Sequence, residues 1–537
     1  MILAISNPVI PTLSDLRPFA AEAWIIVSIV AVLLTPFFVK RSNFACCAVA
    51  FIGLAVALIS ILVIGASPQI IGQRFDGMIL ADRFSLAWKA MLILFVMGIL
   101  IMWMTTTASS MHQGDGPEFF TLLLGATLGM CLMSGTSNLL MIVMAVEMAS
   151  LPSYVLAGFR KTHRVGAEAS LKYVLFGAAT SSIMVYGLSL LYGLYGTLQL
   201  AGPEGLAARM IATPGSSALL AVAVFGIIVG IGFKISAVPF HFWCPDVFEG
   251  ASIDVSAFLS VASKGAALTL LLRILLIIAD ACHYHSTAGI SLAGIAVVVG
   301  IIGAVTATVG NTAAFVQTNI KRLLAYSSIA HAGYMLCALS LLINGASVQT
   351  TAGGYNAAAQ ALLLYLSVYL FMHLGAFTAA GLVWRETRSE NLTAFAGLGR
   401  RSPALALFMT CCLFSLVGLP PFAGFVAKLN VMFVLAVNSG WWWALVAVIG
   451  VNTILSLFYY ARVVKVMYLS DSESPAFVPN PAGLLLTGLC ATMLLAMLLG
   501  FSPLTHMTKN CGRLDGINGP SAPPVTAVVP SPAHHPS

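Results

Sequence analysis

The chain has 537 residues, of which 59% are hydrophobic and only 8% charged, with a net charge of +7, and its mean hydropathy is +0.98. An ordinary soluble domain carries about 25% charged residues, so the composition excludes a soluble fold, and the basic excess reads as membrane topology rather than nucleic-acid binding. The ten cysteines form no C-x-x-C pair, and no Gly-rich dinucleotide fingerprint is present; no metal, iron–sulfur cluster or other cofactor is expected on this chain.

A helical span needs about 20 mainly apolar residues, and helix is the default because backbone groups in lipid must be satisfied within the segment. The sequence therefore predicts an all-α polytopic membrane protein of about fourteen spans: 21–39, 44–64, 84–104, 118–135, 138–158, 170–195, 217–240, 253–277, 289–310, 323–343, 358–384, 404–433, 441–467 and 482–502. The first apolar run has no basic stretch before it and reads as a retained anchor, not a cleaved signal. The stretch from Pro503 to Ser537 is polar and Pro-rich and reads as a disordered tail.

Two spans carry helix breakers in matching places. The seventh reads Gly232-Phe-Lys-Ile-Ser-Ala-Val-Pro239, and the twelfth reads Gly418-Leu-Pro-Pro-Phe-Ala-Gly424 followed by Lys428. Proline removes a backbone donor and disrupts a helix. Broken helices at corresponding positions point to inverted repeats, as in secondary transporters, and an offset of five spans, being odd, reverses the second copy. The expected organisation is thus helices 1–3 in 1–117, a first antiporter-like five-helix repeat in 118–277, a second, inverted one in 289–467, a last helix in 482–502 and the tail in 503–537.

Basic residues set orientation. One set of alternating loops holds Lys40, Arg41, Arg160, Lys161, Arg164, Lys321, Arg322, Arg385, Arg388, Arg400, Arg401, Arg462 and Lys465; the other holds Arg17, Arg74, Arg83, Arg209, Lys509 and Arg513. This thirteen-to-six bias puts both termini on the periplasmic side of a bacterial inner membrane.

The remaining charges carry the chemistry. A Lys at the bilayer centre costs roughly 2.5–3.5 kcal/mol on insertion scales, so a chain this poor in charge keeps one there for a reason. Glu147 is read as the one acid well inside the membrane, a carboxylate able to set the proton affinity of a lysine. Lys234, before the seventh-span break, Lys264, among small residues on the eighth span, and Lys428, on the twelfth, complete a candidate proton line. The bland readings are structural ion pairs and lysines snorkelling to the interface. Lys172, His241, Tyr326, His331 and His373 are accessory candidates, because imidazole and hydroxyl groups pass protons. Lys172 also stands four residues after Glu168, an ordinary helix-supporting pair. Lys89 and Arg273 read as topology or partner contacts.

Four stretches carry a family resemblance: Gly232–Trp243 with Pro245-Asp-Val-Phe-Glu-Gly-Ala251, Ala257–Lys264, Asn319–Tyr334 and Gly418–Lys428. They resemble the antiporter-like membrane subunits of NADH–quinone oxidoreductase (respiratory complex I), and the Pro-Asp-Val-Phe-Glu-Gly version resembles subunit N. The resemblance implies proton translocation, with Glu147 and Lys234 as the coupled input pair, Lys264 as central relay and Lys428 as distal site. It also implies that NADH, FMN, iron–sulfur clusters and quinone belong to partner subunits, and that antiporter-like subunit M and the small subunits K and J are partners. Where the family usually shows Pro-Thr-Pro-Val, this chain has Ser252-Ile-Asp-Val255, which puts the entrance to helix 8 in question. The competing readings are a stand-alone cation/proton antiporter of the Mrp type and a membrane subunit that no longer pumps.

Overall fold

The computed structural model describes residues 16–39, 43–65, 72–75, 77–108, 112, 114–160, 164–200, 202, 204–212, 216–284, 292–343, 357–438, 440–471 and 475–512. Lys40, Arg41, Lys161, Arg513 and the tail beyond 512, used above for topology and disorder, lie outside these residues.

The membrane helices are, in chain order, α1 (Ala20–Phe38), α2 (Asn43–Gly65), α3 (Arg83–Thr106), α4 (Gly116–Gly135), α5 (Leu139–Ala157), α6 (Arg164–Tyr195) and a broken α7, made of α7a (Ser217–Ile235) and α7b (Trp243–Gly250), with a short helix, Leu206–Ala212, between α6 and α7a. Then come α8 (253–284), α9 (Leu292–Ala314), α10 (Ile320–Leu339), α11 (Ala357–Thr387), a broken α12, made of α12a (Pro403–Val417) and α12b (Ala423–Val437), α13 (Trp442–Leu469) and α14 (Pro481–Leu499). Among the described residues thirteen helices are long and apolar enough to cross a membrane; the two short halves of α12 make up the fourteenth expected span. Several helices start on side-chain caps: Asp82 accepts from Ser85 N at 2.8 Å to open α3, and Asn319 from Lys321 N at 2.8 Å to open α10.

Three details differ from the sequence reading. Helix α6 begins at Arg164, absorbing residues read as loop. A two-stranded antiparallel hairpin pairs Gly72–Arg74 with Ile79–Ala81 between α2 and α3, turning through Gly77 at φ 76°. Part of the stretch read as disordered is an α-helix, α15 (Phe501–Cys511).

The two repeats are visible in their packing and in their breaks. In each, the first two helices meet at glycine. A Cβ on Gly129 of α4 would lie 2.5 Å from Ala149 N of α5, and one on Gly333 of α10 would lie 2.4 Å from Ala307 N of α9. Such contacts let backbones approach where the hydrophobic effect gives no drive. Helix α7a ends at Ser236 with φ 63°, and Ala237 N bonds Gly232 O at 2.8 Å; helix α12a ends at Gly418 with φ 86°, and Leu419 N bonds Phe414 O at 3.1 Å. Both are left-handed C-terminal caps with the same six-to-one bond. Each is followed by a turn containing a cis peptide, Val238–Pro239 and Pro420–Pro421.

Burial separates the helices. The apolar stretch of α8 is 100% buried and those of α10 and α11 94%, against 33% for α1, α2, α6 and α13. The three helices without a lipid face are the ones that carry Lys264, His331 and His373.

Candidate functional site

Lys234 ends α7a, with 3% of its surface exposed. Its ammonium lies in an aromatic cage, 5.2 Å from the Tyr154 ring, 5.8 Å from Tyr173 and 5.8 Å from Phe233. Trp243 of α7b stacks on Tyr173 at 4.3 Å and donates Nε1–H to Phe233 O at 3.0 Å, fixing the cage across the break. Attraction of a cation to ring faces replaces part of its lost hydration. Glu147 stands half-buried on α5. Among the described residues it forms no ion pair with Lys234.

Lys264 is fully buried. It follows one π-helical turn, Leu259–Ser263, a local widening frequent at functional sites. Its ammonium donates to Ser328 Oγ at 2.5 Å and approaches Cys244 Sγ at 3.6 Å. Ser328 in turn donates to Ala325 O at 2.7 Å. Beyond Ser328 lies a cluster of rings from α10 and α11. His331 Nδ1 is 2.7 Å from Tyr365 OH, and its ring is 5.4 Å from Tyr369 and 6.1 Å from His373. The Tyr369 ring packs tilted against His373 at 4.3 Å, and its hydroxyl donates to Ser260 O at 3.2 Å. Neither ring nitrogen of His373, which is fully buried, has a protein partner.

Lys428 crosses the break in α12. Its ammonium donates to Leu416 O at 3.0 Å and Val417 O at 2.8 Å, the last carbonyls of α12a, where a cation meets the negative end of the helix. It lies 4.9 Å from the Tyr334 ring. No carboxylate is in ion-pair contact with Lys234, Lys264 or Lys428 among the described residues. Glycines at both breaks, small residues on α8 and the buried faces of α10 and α11 bring these groups inside.

The other expected residues fall differently. Lys172 is about two-fifths exposed, in a network at the ends of α6, α7b and α10: it pairs with Glu168 at 2.8 Å and Asp246 at 2.7 Å, while Arg322 pairs with Asp246 at 2.7 Å and Glu249 at 2.6 Å. Burial pushes the Asp246 carboxyl up, but the hydrogen bonds from Lys172 and Arg322 outweigh it and hold it below the usual carboxylate range. Lys321 completes the network with Glu390 at 2.7 Å. Asp246 and Glu249 of the Pro-Asp-Val-Phe-Glu-Gly motif thus join the first repeat to the second. His241 is buried after the break, with its ring 4.5 Å from Phe242. Tyr326 is only partly buried; its neighbours Ser327 and Ser328 are the hydroxyls that reach inward, to Tyr460 OH and to Lys264.

Sequence reading missed several buried charges. Glu147 is not the one interior acid: Glu22, Asp82 and Asp254 are each 0% exposed. Lys89 pairs with Glu22 at 2.5 Å and Arg273 with Asp82 at 2.7 Å, so neither is a topology or partner contact. Asp254 stands in the first turn of α8, accepting from Thr107 Oγ1 at 3.1 Å. An acid suits a helix N-terminus, and α8 begins there without the family's prolines. A signal for these pairs existed, since four charges near span ends in so apolar a chain need partners.

The family profile described as "NADH:quinone oxidoreductase/Mrp antiporter, TM" matches residues 136–456, which include Glu147, Lys234, Lys264 and Lys428. NADH-quinone oxidoreductase subunit N of Anaeromyxobacter sp. is 37% identical over 475 residues, covering 85% of this chain and 88% of that protein. NADH-quinone oxidoreductase subunit N 2 of Sorangium cellulosum is 40% identical over 440 residues, covering 79% and 82%. A chain of respiratory complex I from Thermus thermophilus, determined with bound aureothin, superposes with a TM-score of 0.71 at 30% identity, covering 93% of this chain and 100% of that one. A chain of the Mrp complex from Dietzia sp. gives a TM-score of 0.76 at 20% identity, covering 93% and 97%, a likeness of fold alone.

Proposed function

We propose that this chain, which belongs to the NADH:quinone oxidoreductase/Mrp antiporter membrane family and within it to subunit N of NADH-quinone oxidoreductase, moves protons along its buried lysines in step with electron transfer on other subunits. The observation that carries the reading is that, among the described residues, Lys234, Lys264 and Lys428 are buried without a carboxylate partner, Lys264 on the Ser328 hydroxyl, Lys428 on backbone carbonyls and Lys234 in a cage of rings. A buried charge left without a counter-ion is costly to hold, so a modest change in the surrounding field moves its proton on. Glu147, out of contact with Lys234, is such a field source. The proton steps from Lys234 to Lys264, through Ser328 and the His331–His373 ring cluster, to Lys428. Lys172 acts at the edge of this line, in its ionic network, and His241 beside the break.

On this reading the chain is a non-redox subunit of a translocase in the bacterial inner membrane, with both termini periplasmic. Residues 118–277 and 289–467 are its two antiporter-like halves. NADH, FMN, iron–sulfur clusters and quinone sit on partner subunits, and subunit M with the small subunits K and J are its membrane neighbours. Replacing Lys234 or Lys264 with Ala in the intact complex tests the line. Proton pumping and coupled quinone reduction fall while assembly persists; full pumping in both variants removes these lysines from the path.

A further inference from the structure

Beside the distal lysine lies a buried set of amides and hydroxyls that the proton line does not use. Its centre is Asn311 of α9, 0% exposed, with Tyr334 of α10 at 1% and Tyr459 and Asn452 of α13 at 1% and 2%. Asn311 Nδ2 donates to Tyr334 OH at 2.9 Å, to Asn452 Oδ1 at 3.0 Å and to Ala307 O at 3.0 Å, and Asn311 Oδ1 accepts from Tyr459 OH at 3.0 Å. Asn452 is itself held, donating to Thr308 Oγ1 and Val448 O, each at 3.0 Å. Two amide hydrogens thus serve three acceptors, and the amide is tied to α9, α10 and α13 together. Such a network is not needed to bring α9 onto α10, because glycine does that: a Cβ on Gly310 would lie 2.6 Å from Ala330 N, and one on Gly303 2.8 Å from Cys337 N. Interhelical hydrogen bonds within a membrane also add little stability each. What the network fixes is one ring. Tyr334 presents its face to the Lys428 ammonium at 4.9 Å and meets the His331 ring in a T-shaped contact at 5.7 Å.

We propose that Asn311 is a positioning residue for the distal lysine, acting through Tyr334. The inference rests on the lysine line being a proton path. Asn311, backed by Asn452 and Tyr459, holds the Tyr334 hydroxyl, and the held hydroxyl keeps the ring against both Lys428 and His331. Attraction of a cation to a ring face needs the ammonium within about 6 Å of the ring centre, so a ring free to swing loses the contact. No proton passes through Asn311, and no bond is made or broken there. The positioning comes from α9 and α13, which carry none of the three lysines, so outer helices set the geometry of the inner line.

The test sets Asn311→Leu, Tyr334→Leu and the double variant Asn311→Leu/Tyr334→Leu in the intact complex, beside wild type and Lys428→Met. NADH-driven acidification of inside-out vesicles is read per assembled complex, with the heat resistance of the complex alongside. Asn311→Leu is expected to slow pumping about 3- to 10-fold, the size of a cation–π contact removed from a transfer step. It is expected to slow it no further in the Tyr334→Leu background, because without the ring Asn311 has nothing to place. Tyr334→Phe, which keeps the ring and drops only the held hydroxyl, is slowed as far as Asn311→Leu. A merely structural amide lowers heat resistance alike in both backgrounds and leaves the rate per complex unchanged. A wild-type rate in Asn311→Leu, or losses that multiply in the double variant, beside an impaired Lys428→Met, overturn the positioning role and leave the lysine path standing. A wild-type rate in Lys428→Met overturns the distal step of the path itself, and this role with it. Should Asn311→Leu not assemble, Tyr334→Phe decides alone, a wild-type rate overturning the role.

Discussion

Replacing Ser328 with Ala takes from Lys264 the stronger of its two polar partners. The hydroxyl accepts from the ammonium at 2.5 Å, and what remains is Cys244 Sγ at 3.6 Å, a weak acceptor. A hydrogen bond to a charged group is worth roughly 1.5–3 kcal/mol. Lys264 is fully buried, so bulk water does not replace the lost bond. If Ser328 is also the carrier toward the ring cluster, that loss falls on the transfer step, and about 1.4 kcal/mol is a factor of ten. Ser328→Ala is therefore expected to slow pumping and quinone reduction by about 10- to 100-fold per assembled complex. Ser328→Thr, which keeps a hydroxyl, retains much of the rate. The assay is NADH-driven acidification of inside-out vesicles, normalised to assembled complex, with Lys264→Ala as reference. Wild-type pumping in Ser328→Ala, beside an inactive Lys264→Ala, refutes the hydroxyl as a carrier and sends the path elsewhere.

On the proposed reading Glu147 and Lys234 work as one unit. Glu147→Gln lowers turnover, Glu147→Asp keeps much of it, and Glu147→Gln/Lys234→Ala is scarcely slower than Lys234→Ala; strictly additive losses in this cycle show that the residues act separately. Lys428→Met strips the donors from the Leu416 and Val417 carbonyls, at about 1–3 kcal/mol for each acceptor left unsatisfied, so both turnover and heat resistance of the complex fall, and Lys428→Arg recovers the heat resistance. Unchanged heat resistance in Lys428→Met means those carbonyls find other partners. A C-terminal reporter active only in the cytoplasm stays silent if the charge bias sets orientation, and reporter activity reverses the topology.

Local chemistry made much of this protein legible. An apolar run of bilayer length declares a span, and a proline beside a lysine declares a break. Each of those inferences uses residues close together in sequence, and the observed helices begin and end within a few residues of most expected bounds. Partner choice was not legible. Tyr326 and Ser328 are two positions apart, yet it is Ser328 that meets Lys264, because each step along a helix turns the side chain by about 100° and only packing decides which face looks inward. Lys89 and Arg273 looked like membrane-edge cations until α1 and the start of α3 brought Glu22 and Asp82 to them across 67 and 191 positions. Glu147 and Lys234, expected as a coupled pair, make no ion-pair contact among the described residues, and the Tyr154, Tyr173 and Phe233 rings surround the ammonium. Sequence alone thus determined the spans and their two breaks, since those follow from the free energy of placing each residue in lipid and from the backbone donor that proline lacks. Tertiary structure decided which buried charges meet, since that depends on the rotation and depth of one helix against another, which many weak contacts set together.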